Sequence, residues 1–153
     1  MPRLNPVLSG VDHAPVLDLG SSRLVHRIAS EQTRGALAVV EFLSDPGQGV
    51  GLHLHKNEEE LVYVLEGTIE VTLGDQTLTV SRGACALLPR GIPHGFVNTG
   101  DGPSRILAVV LPGKLDGFFV ELSRELAVDR PHEEPIERLC KRFGLSFLEP
   151  ASK

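Results

Sequence analysis

The chain has 153 residues, of which 41% are hydrophobic and 23% charged, and its formal net charge is −5. This length and composition are typical of one globular domain. No lysine- and arginine-rich stripe is present, which argues against a nucleic-acid partner. No apolar stretch reaches the ~20 residues of a membrane span, and residues 1–10 lack the apolar run of a signal peptide. Cys85 and Cys140 lie far apart in sequence, so we expect reduced thiols and a cytoplasmic protein.

The first twenty residues predict an irregular N-terminal arm, because Pro2, Pro6 and Pro15 interrupt strand hydrogen bonding. Residues 21–112 then show short apolar or alternating segments, separated by turn residues every 8 to 12 positions. Such a pattern predicts an all-β barrel or sandwich. The predicted strands are 24–29, 35–43, 51–55, 60–66, 68–73, 76–80, 84–88, 94–98 and 106–111.

The hydrophobic period changes after Gly113, where residues 113–153 predict a C-terminal pair of α-helices. The apolar positions of the first helix follow a 3.6-residue period and those of the second repeat it. They are Leu115, Phe118, Phe119, Leu122 and Leu126, followed by Ile136, Leu139, Cys140 and Phe143. Residues 129–132 would link the helices. We expect the pair to pack against the barrel, and a lid over the barrel mouth is the alternative.

Three histidines and one glutamate have spacings that can close around one metal ion. His53 and His55 are two residues apart, so on a strand they project from the same face. A hairpin through the polar residues 56–59 would bring Glu60 back beside them, and His94 would arrive from a later strand. Three imidazole nitrogens and one carboxylate suit one divalent ion among Fe, Mn, Ni, Co, Cu and Zn.

These residues resemble the two characteristic motifs of the cupin superfamily. The ten matching positions are Gly47, His53, His55, Glu60, Gly67, Gly83, Pro89, Gly91, His94 and Asn98. The resemblance implies a small cupin (jelly-roll) barrel with a metal at its centre. The C-terminal region is similar to that of small bacterial cupins described as flavonol dioxygenase-like, in which the matching glutamate takes a proton from the substrate. That similarity assigns the catalytic role to Glu60.

The walls of the expected pocket are apolar. Val62, Val64 and Phe96 share strand faces with the metal-binding residues and predict a pocket for an aromatic or flat small molecule, although they could equally be barrel core. We therefore expect a metal-dependent, dioxygenase-like enzyme acting on a small aromatic or enol-type substrate. A non-oxidative isomerase or lyase acting on a sugar or keto acid, and a non-catalytic ligand-binding cupin, are the alternatives.

Several residues outside the metal-binding set also carry expectations. We expect a second subunit to bury the N-terminal arm and the strand face that bears Leu61, Tyr63 and Leu65. This predicts a homodimer. Glu58 and Glu59 could hydrogen-bond the metal-binding imidazoles or stand at an exposed hairpin tip. The remaining histidines are expected at surface or packing positions: His13, His26 and His132.

Overall fold

The computed structural model describes residues 3–128 and 133–149. Over these ranges the chain forms short antiparallel strands followed by a C-terminal helical region. The strands are β1 (Val16–Asp18), β2 (Arg23–Ile28), β3 (Ala38–Ser44), β4 (Gly49–His55), β5 (Glu59–Glu66), β6 (Thr68–Leu73), β7 (Gln76–Ser81), β8 (Cys85–Leu88), β9 (His94–Asn98), β10 (Ser104–Leu111) and β11 (Leu145–Phe147). The helices are α1 (Asp116–Leu126) and α2 (Glu133–Phe143), with a short 3₁₀-helix at Ser30–Thr33.

The strands form two facing antiparallel sheets. One has the order β1-β2-β3-β10-β5-β8 and the other β11-β4-β9-β6-β7. Alternate residues of β10 are buried, as expected for a strand with one face on the core. The core between the sheets includes Val40, Phe42, Ile69, Ile106 and Ala108. The predicted all-β jelly-roll barrel with two C-terminal helices is confirmed.

The expected hairpin between the strands of His55 and Glu60 does not form. β4 pairs with β9 and β11, whereas β5 pairs with β10 and β8. Residues 56–58 therefore cross from one sheet to the other instead of reversing within one sheet. As a result Glu60 faces the histidines across the barrel.

Two short strands lie in segments for which we expected no strand. Val16–Asp18 pairs antiparallel with β2 inside the predicted irregular arm, and Pro15 precedes this strand and contributes only its carbonyl, to His26 N. Leu145–Phe147 pairs with β4 inside the region expected to be helical. Strands of three residues are too short to show a period of two. The predicted helix link, residues 129–132, lies outside the described residues.

A buried carboxylate fastens the start of α1 to the barrel. Asp116 Oδ2 lies 2.9 Å from His26 Nε2 and accepts a hydrogen bond from Ser30 N at 2.8 Å, while Ser30 Oγ donates to Asp116 Oδ1 at 2.7 Å. His26 thus pairs with Asp116, outside the predicted metal-binding set. The anchor directs Phe118 into a second apolar cluster that also contains Leu145. Neither described helix is long and apolar enough to cross a membrane.

Candidate metal centre

Three strands from the two sheets converge on one buried cluster of polar side chains. β4 supplies His53 and His55, β9 supplies His94, and β5 supplies Glu60 from the opposite sheet. One ring nitrogen of each histidine lies within 4.8 Å of the others. Glu60 Oε2 is 3.6 Å from His94 Nε2 and 3.8 Å from His55 Nε2. The structure therefore brings all four predicted residues together.

A β-bulge and close backbone contact aim the histidines inward. Between the pairs Val50↔Phe96 and His53↔His94, β4 contains one residue more than β9. An extra residue in one strand re-aims the side chains beyond it. A Cβ at Gly49 would stand 2.0 Å from the carbonyl oxygen of Phe96, so only glycine permits this approach of β4 to β9.

The turn before His94 is tied to the metal-binding strand. Gly91 has a positive φ of 75°, which glycine adopts without steric cost, and its N–H donates to His55 O at 2.7 Å. Asn98, the last residue of the second motif, makes its side-chain hydrogen bonds to backbone groups and not to the histidines. Its Nδ2 donates to Ser44 O and Gly102 O, so it holds the loop after β9.

Hydrogen bonds orient two of the imidazoles. His53 Nδ1 lies 2.7 Å from Gly51 O and His94 Nδ1 lies 3.1 Å from Ile92 O. With Nδ1 as the donor, each ring presents the lone pair of its Nε2. His94 Nε2 is buried and has no hydrogen-bond partner among the described residues. A buried nitrogen without a partner is costly, and a cation there would satisfy it. The cluster therefore fits a bound divalent ion.

The protonation states also suit a metal. Burial, followed by repulsion from His94, lowers the pKa of His53 to about 4. Burial likewise lowers the pKa of His55. Burial raises the pKa of Glu60, but the neighbouring imidazoles, that of His94 first, lower it by more, so the carboxylate is ionised. Neutral imidazoles and a carboxylate are the forms that bind metal.

We expect the metal-free protein to lose stability as the pH falls from 6.5 to 4. His53 is neutral in the fold until about pH 4, whereas an unfolded histidine protonates near pH 6.5. Within this window the unfolded state binds more protons than the folded state, so the free energy of unfolding decreases as the pH is lowered. The His53 side chain accounts for about 3 kcal/mol of this decrease. Urea titrations of wild type and His53→Gln between pH 7 and 4 measure the effect. Equal pH slopes for the two proteins would contradict it.

The two neighbouring glutamates differ in their surroundings. Glu59 accepts a hydrogen bond from Arg90 N at 2.6 Å and pairs with the Arg90 guanidinium, away from the histidines. Glu58 is buried, its Oε2 lacks a partner among the described residues, and burial raises its pKa. His55 Nδ1 is also buried and unpartnered within the described chain. Because both atoms lack a partner among the residues that the structure describes, Glu58 Oε2 and His55 Nδ1 do not hydrogen-bond each other in this structure.

A cavity of about 140 Å³ opens from the metal-binding residues into the barrel. Val62 and Phe96 line it, whereas Val64 lies further along β5 in the core, where its backbone N–H bonds Ala84 O. Most of the remaining wall is apolar. Sequence reasoning did not assign four of its aromatic residues to the pocket: Phe42, Phe118, Phe119 and Phe147.

The missed aromatic residues come from elements outside the two motifs. Phe118 and Phe119 belong to the apolar stripe of α1. The stripe indicated that α1 packs on the barrel, but not that it packs beside the cavity. Phe119 stands edge-on to Phe42, with ring centroids 5.6 Å apart. Phe147 lies in β11, whose three residues are too few to show a strand pattern in the sequence. The C-terminal segment thus packs on the barrel and also closes one side of the cavity.

Comparisons with known proteins agree with the fold and the motifs. Residues 40–110 match the family model described as a cupin domain. SchB of Streptomyces halstedii is 39% identical over 62 residues, which are 40% of this chain and 45% of SchB. The chain thus spans less than half the length of that relative.

Two solved structures are also similar. KdgF from Halomonas sp. has a TM-score of 0.65 at 20% identity, over 72% of this chain and 99% of KdgF. The polyketide cyclase RemF from Streptomyces resistomycificus has a TM-score of 0.54 at 28% identity, over 72% of this chain and 79% of RemF. Together with the ten motif residues, these matches support the cupin superfamily. The chain has the cupin fold, with three histidines that could hold a metal ion at its centre.

Proposed function

We propose that this protein is a metal-dependent enzyme that acts on a small aromatic or enol-type molecule, with a dioxygenase-like reaction as the first candidate. The observation that carries the proposal is the position of Glu60. Its carboxylate lies beside His55 and His94 where they meet an otherwise apolar cavity. Apolar pockets with a few converging polar groups are typical of small-molecule sites.

His53, His55, His94 and Glu60 would hold the ion. A divalent ion bound there would supply a Lewis acid for a substrate oxygen and, if redox-active, would permit reaction with O₂. The residues themselves would position the reacting molecule. The aromatic wall accepts a flat ring and excludes water, and hydrogen bonds to Gly51 O and Ile92 O keep two imidazoles in place.

Glu60 would act as the base that takes a proton from a substrate hydroxyl. The neighbouring imidazoles hold its pKa below the ordinary value, so it is available as carboxylate at neutral pH. Burial among apolar side chains shields it from water. A general base must come within hydrogen-bond reach of the proton it removes, and Glu60 lines the cavity in which a substrate hydroxyl would lie.

A non-oxidative reaction is the second candidate. The likeness to the polyketide cyclase RemF, at 28% identity, favours it. The same carboxylate would then take a proton from carbon next to a carbonyl, and no O₂ would be consumed.

Oxygen uptake separates the two candidates. The protein is loaded in turn with Fe, Mn, Co, Ni, Cu and Zn and incubated with catechols, flavonols and 1,3-diketones, while dissolved O₂ and substrate absorbance are followed. A dioxygenase-like enzyme consumes O₂ with one of the redox-active metals. Substrate conversion without O₂ consumption would favour the second candidate, and no conversion of any substrate would leave only a ligand-binding role.

The outer face of the six-stranded sheet supports a homodimer. Cross-strand neighbours Leu61 and Leu87 are 39% and 60% exposed, and the pair Tyr63 and Cys85 lies beside them. An uncharged patch of this kind on a sheet is typical of a contact surface. We propose that a second copy of the chain covers it. Because both cysteines are free thiols, we also propose a reducing cytoplasmic setting.

Light scattering tests the dimer. We expect the wild-type protein to show about twice the 16.5 kDa chain mass at micromolar concentration. Leu87→Glu should shift it to the monomer, because a charge would be buried at the contact. Leu78→Glu, at a 45% exposed leucine on the other sheet, is the matched control. A monomeric wild type would reject the proposal.

A further inference from the structure

The volume of the cavity limits what can bind beside the histidines. It measures about 140 Å³. An apolar protein cavity of roughly 150 Å³ is known to hold benzene. One aromatic ring therefore fits, whereas a three-ring molecule such as a flavonol exceeds this volume and would extend beyond the present walls.

Phe147 forms the wall on the side of β4. Its cross-strand partner is His53, and the two rings lie 5.4 Å apart at an interplanar angle of 32°. Directly opposite residues of antiparallel strands share one face of the sheet. The hydrogen bond from Leu148 N to Leu52 O, at 2.9 Å, holds β11 in this register. The backbone pairing of β11 with β4 thus holds the Phe147 ring against His53, a candidate metal ligand.

A second space lies on the other side of Phe147. An open groove of about 540 Å³ runs between α2 and β11, lined by Ile136, Cys140 and Lys141 among others. Phe147 and Leu145 border both the groove and the inner cavity. Leu145 is buried in the cluster with Phe118, whereas Phe147 is 53% exposed. Of these two residues, Phe147 is therefore the one whose removal would join the two spaces without opening the core.

We propose that Phe147 sets the size of the ligand, so that the site accepts a single aromatic or enol ring and excludes multi-ring molecules. This inference rests on the proposed function, because it assumes that the ligand lies beside the histidines. It adds a substrate class, one-ring phenols and enols, and a specificity-determining residue outside the metal-binding set.

Paired binding titrations test the inference without turnover. The protein is loaded with redox-inactive Zn²⁺ and titrated with 4-nitrocatechol, which has one ring, and with fisetin, a three-ring flavonol. We expect wild type to bind 4-nitrocatechol at least about tenfold more tightly than fisetin. Phe147→Ala should bind fisetin about tenfold more tightly than wild type does, because no stacked ring must be displaced. Its affinity for 4-nitrocatechol should not rise, because the single ring loses one wall of its space, so the preference for 4-nitrocatechol over fisetin should narrow by about tenfold or more.

Three controls accompany these titrations. Leu148→Ala removes a neighbouring leucine that borders neither space and should behave like wild type. Phe147→Trp restores a large ring and should again exclude fisetin. Metal-free wild type should also bind 4-nitrocatechol more tightly than fisetin, because the same walls select the ligand.

The outcomes separate the two proposals. Equal affinities of wild type for both probes, or an unchanged fisetin affinity in Phe147→Ala, would overturn the size selection and leave the proposed function standing. If wild type bound neither 4-nitrocatechol nor fisetin, both the size selection and the proposed function would be overturned.

Discussion

His94→Ala is expected to lose nearly all bound metal. β9 supplies a single member of the set, His94, whose buried Nε2 faces the cluster and has no hydrogen-bond partner among the described residues. Residues that merely support a metal ligand cost 10- to 100-fold in affinity when changed, so removing a ligand should cost more than ~100-fold. Purification in the presence of each metal, followed by elemental analysis and a competition titration with a chromogenic chelator, measures the loss.

The control for this variant is His13→Ala. It removes the same side chain from an exposed position outside the cluster and should bind metal like wild type. Thermal unfolding of both metal-free variants shows whether His94→Ala still folds. A folded His94→Ala protein with unchanged metal content would exclude His94 as a ligand.

Glu60→Gln is expected to separate metal binding from chemistry. Glutamine keeps the size of the side chain and a neutral oxygen but is not a base. The three histidines and an amide oxygen remain, so the site should stay partly occupied, with a smaller loss of metal affinity than in His94→Ala. Loss of a general base typically lowers turnover by about 100- to 10,000-fold. At saturating metal, kcat on any substrate found by the oxygen-uptake screen should therefore fall far more than occupancy.

Glu59→Gln is the matched control, because it makes the same change at the neighbouring residue, whose carboxylate pairs with Arg90. It should leave both metal content and kcat close to wild type. Full activity in Glu60→Gln at full metal occupancy would show that Glu60 is neither the base nor a required ligand, and the dioxygenase-like mechanism would fail for this protein.

Much of the barrel could be predicted from the sequence because its signals are local. Alternation within β5 and β10 and the 3.6-residue stripe of α1 each depend on neighbouring residues alone. The same holds for His53 and His55, whose common face follows from their spacing of two. The motif resemblance then supplied Glu60 and His94, which no local pattern connects to them.

The tertiary structure decided which strands meet. Residues 56–58 allow either a hairpin or a crossing between sheets, and burial of both inner faces against one core selects the crossing. Glu60 consequently approaches the histidines from the opposite sheet. β11 was missed for a similar reason, since its three residues form a strand only because the edge of β4 is available to them.

The sequence by itself determined the barrel and the helical extension, since short-range periodicity carries that information, and its two motifs determined the four side chains that converge at the centre. The structure alone decided the size and shape of the space beside them. Phe42, Phe119 and Phe147 enclose it from β3, α1 and β11, which are distant in sequence. Cavity volume depends on how those long-range contacts close, and no pattern within one segment encodes it.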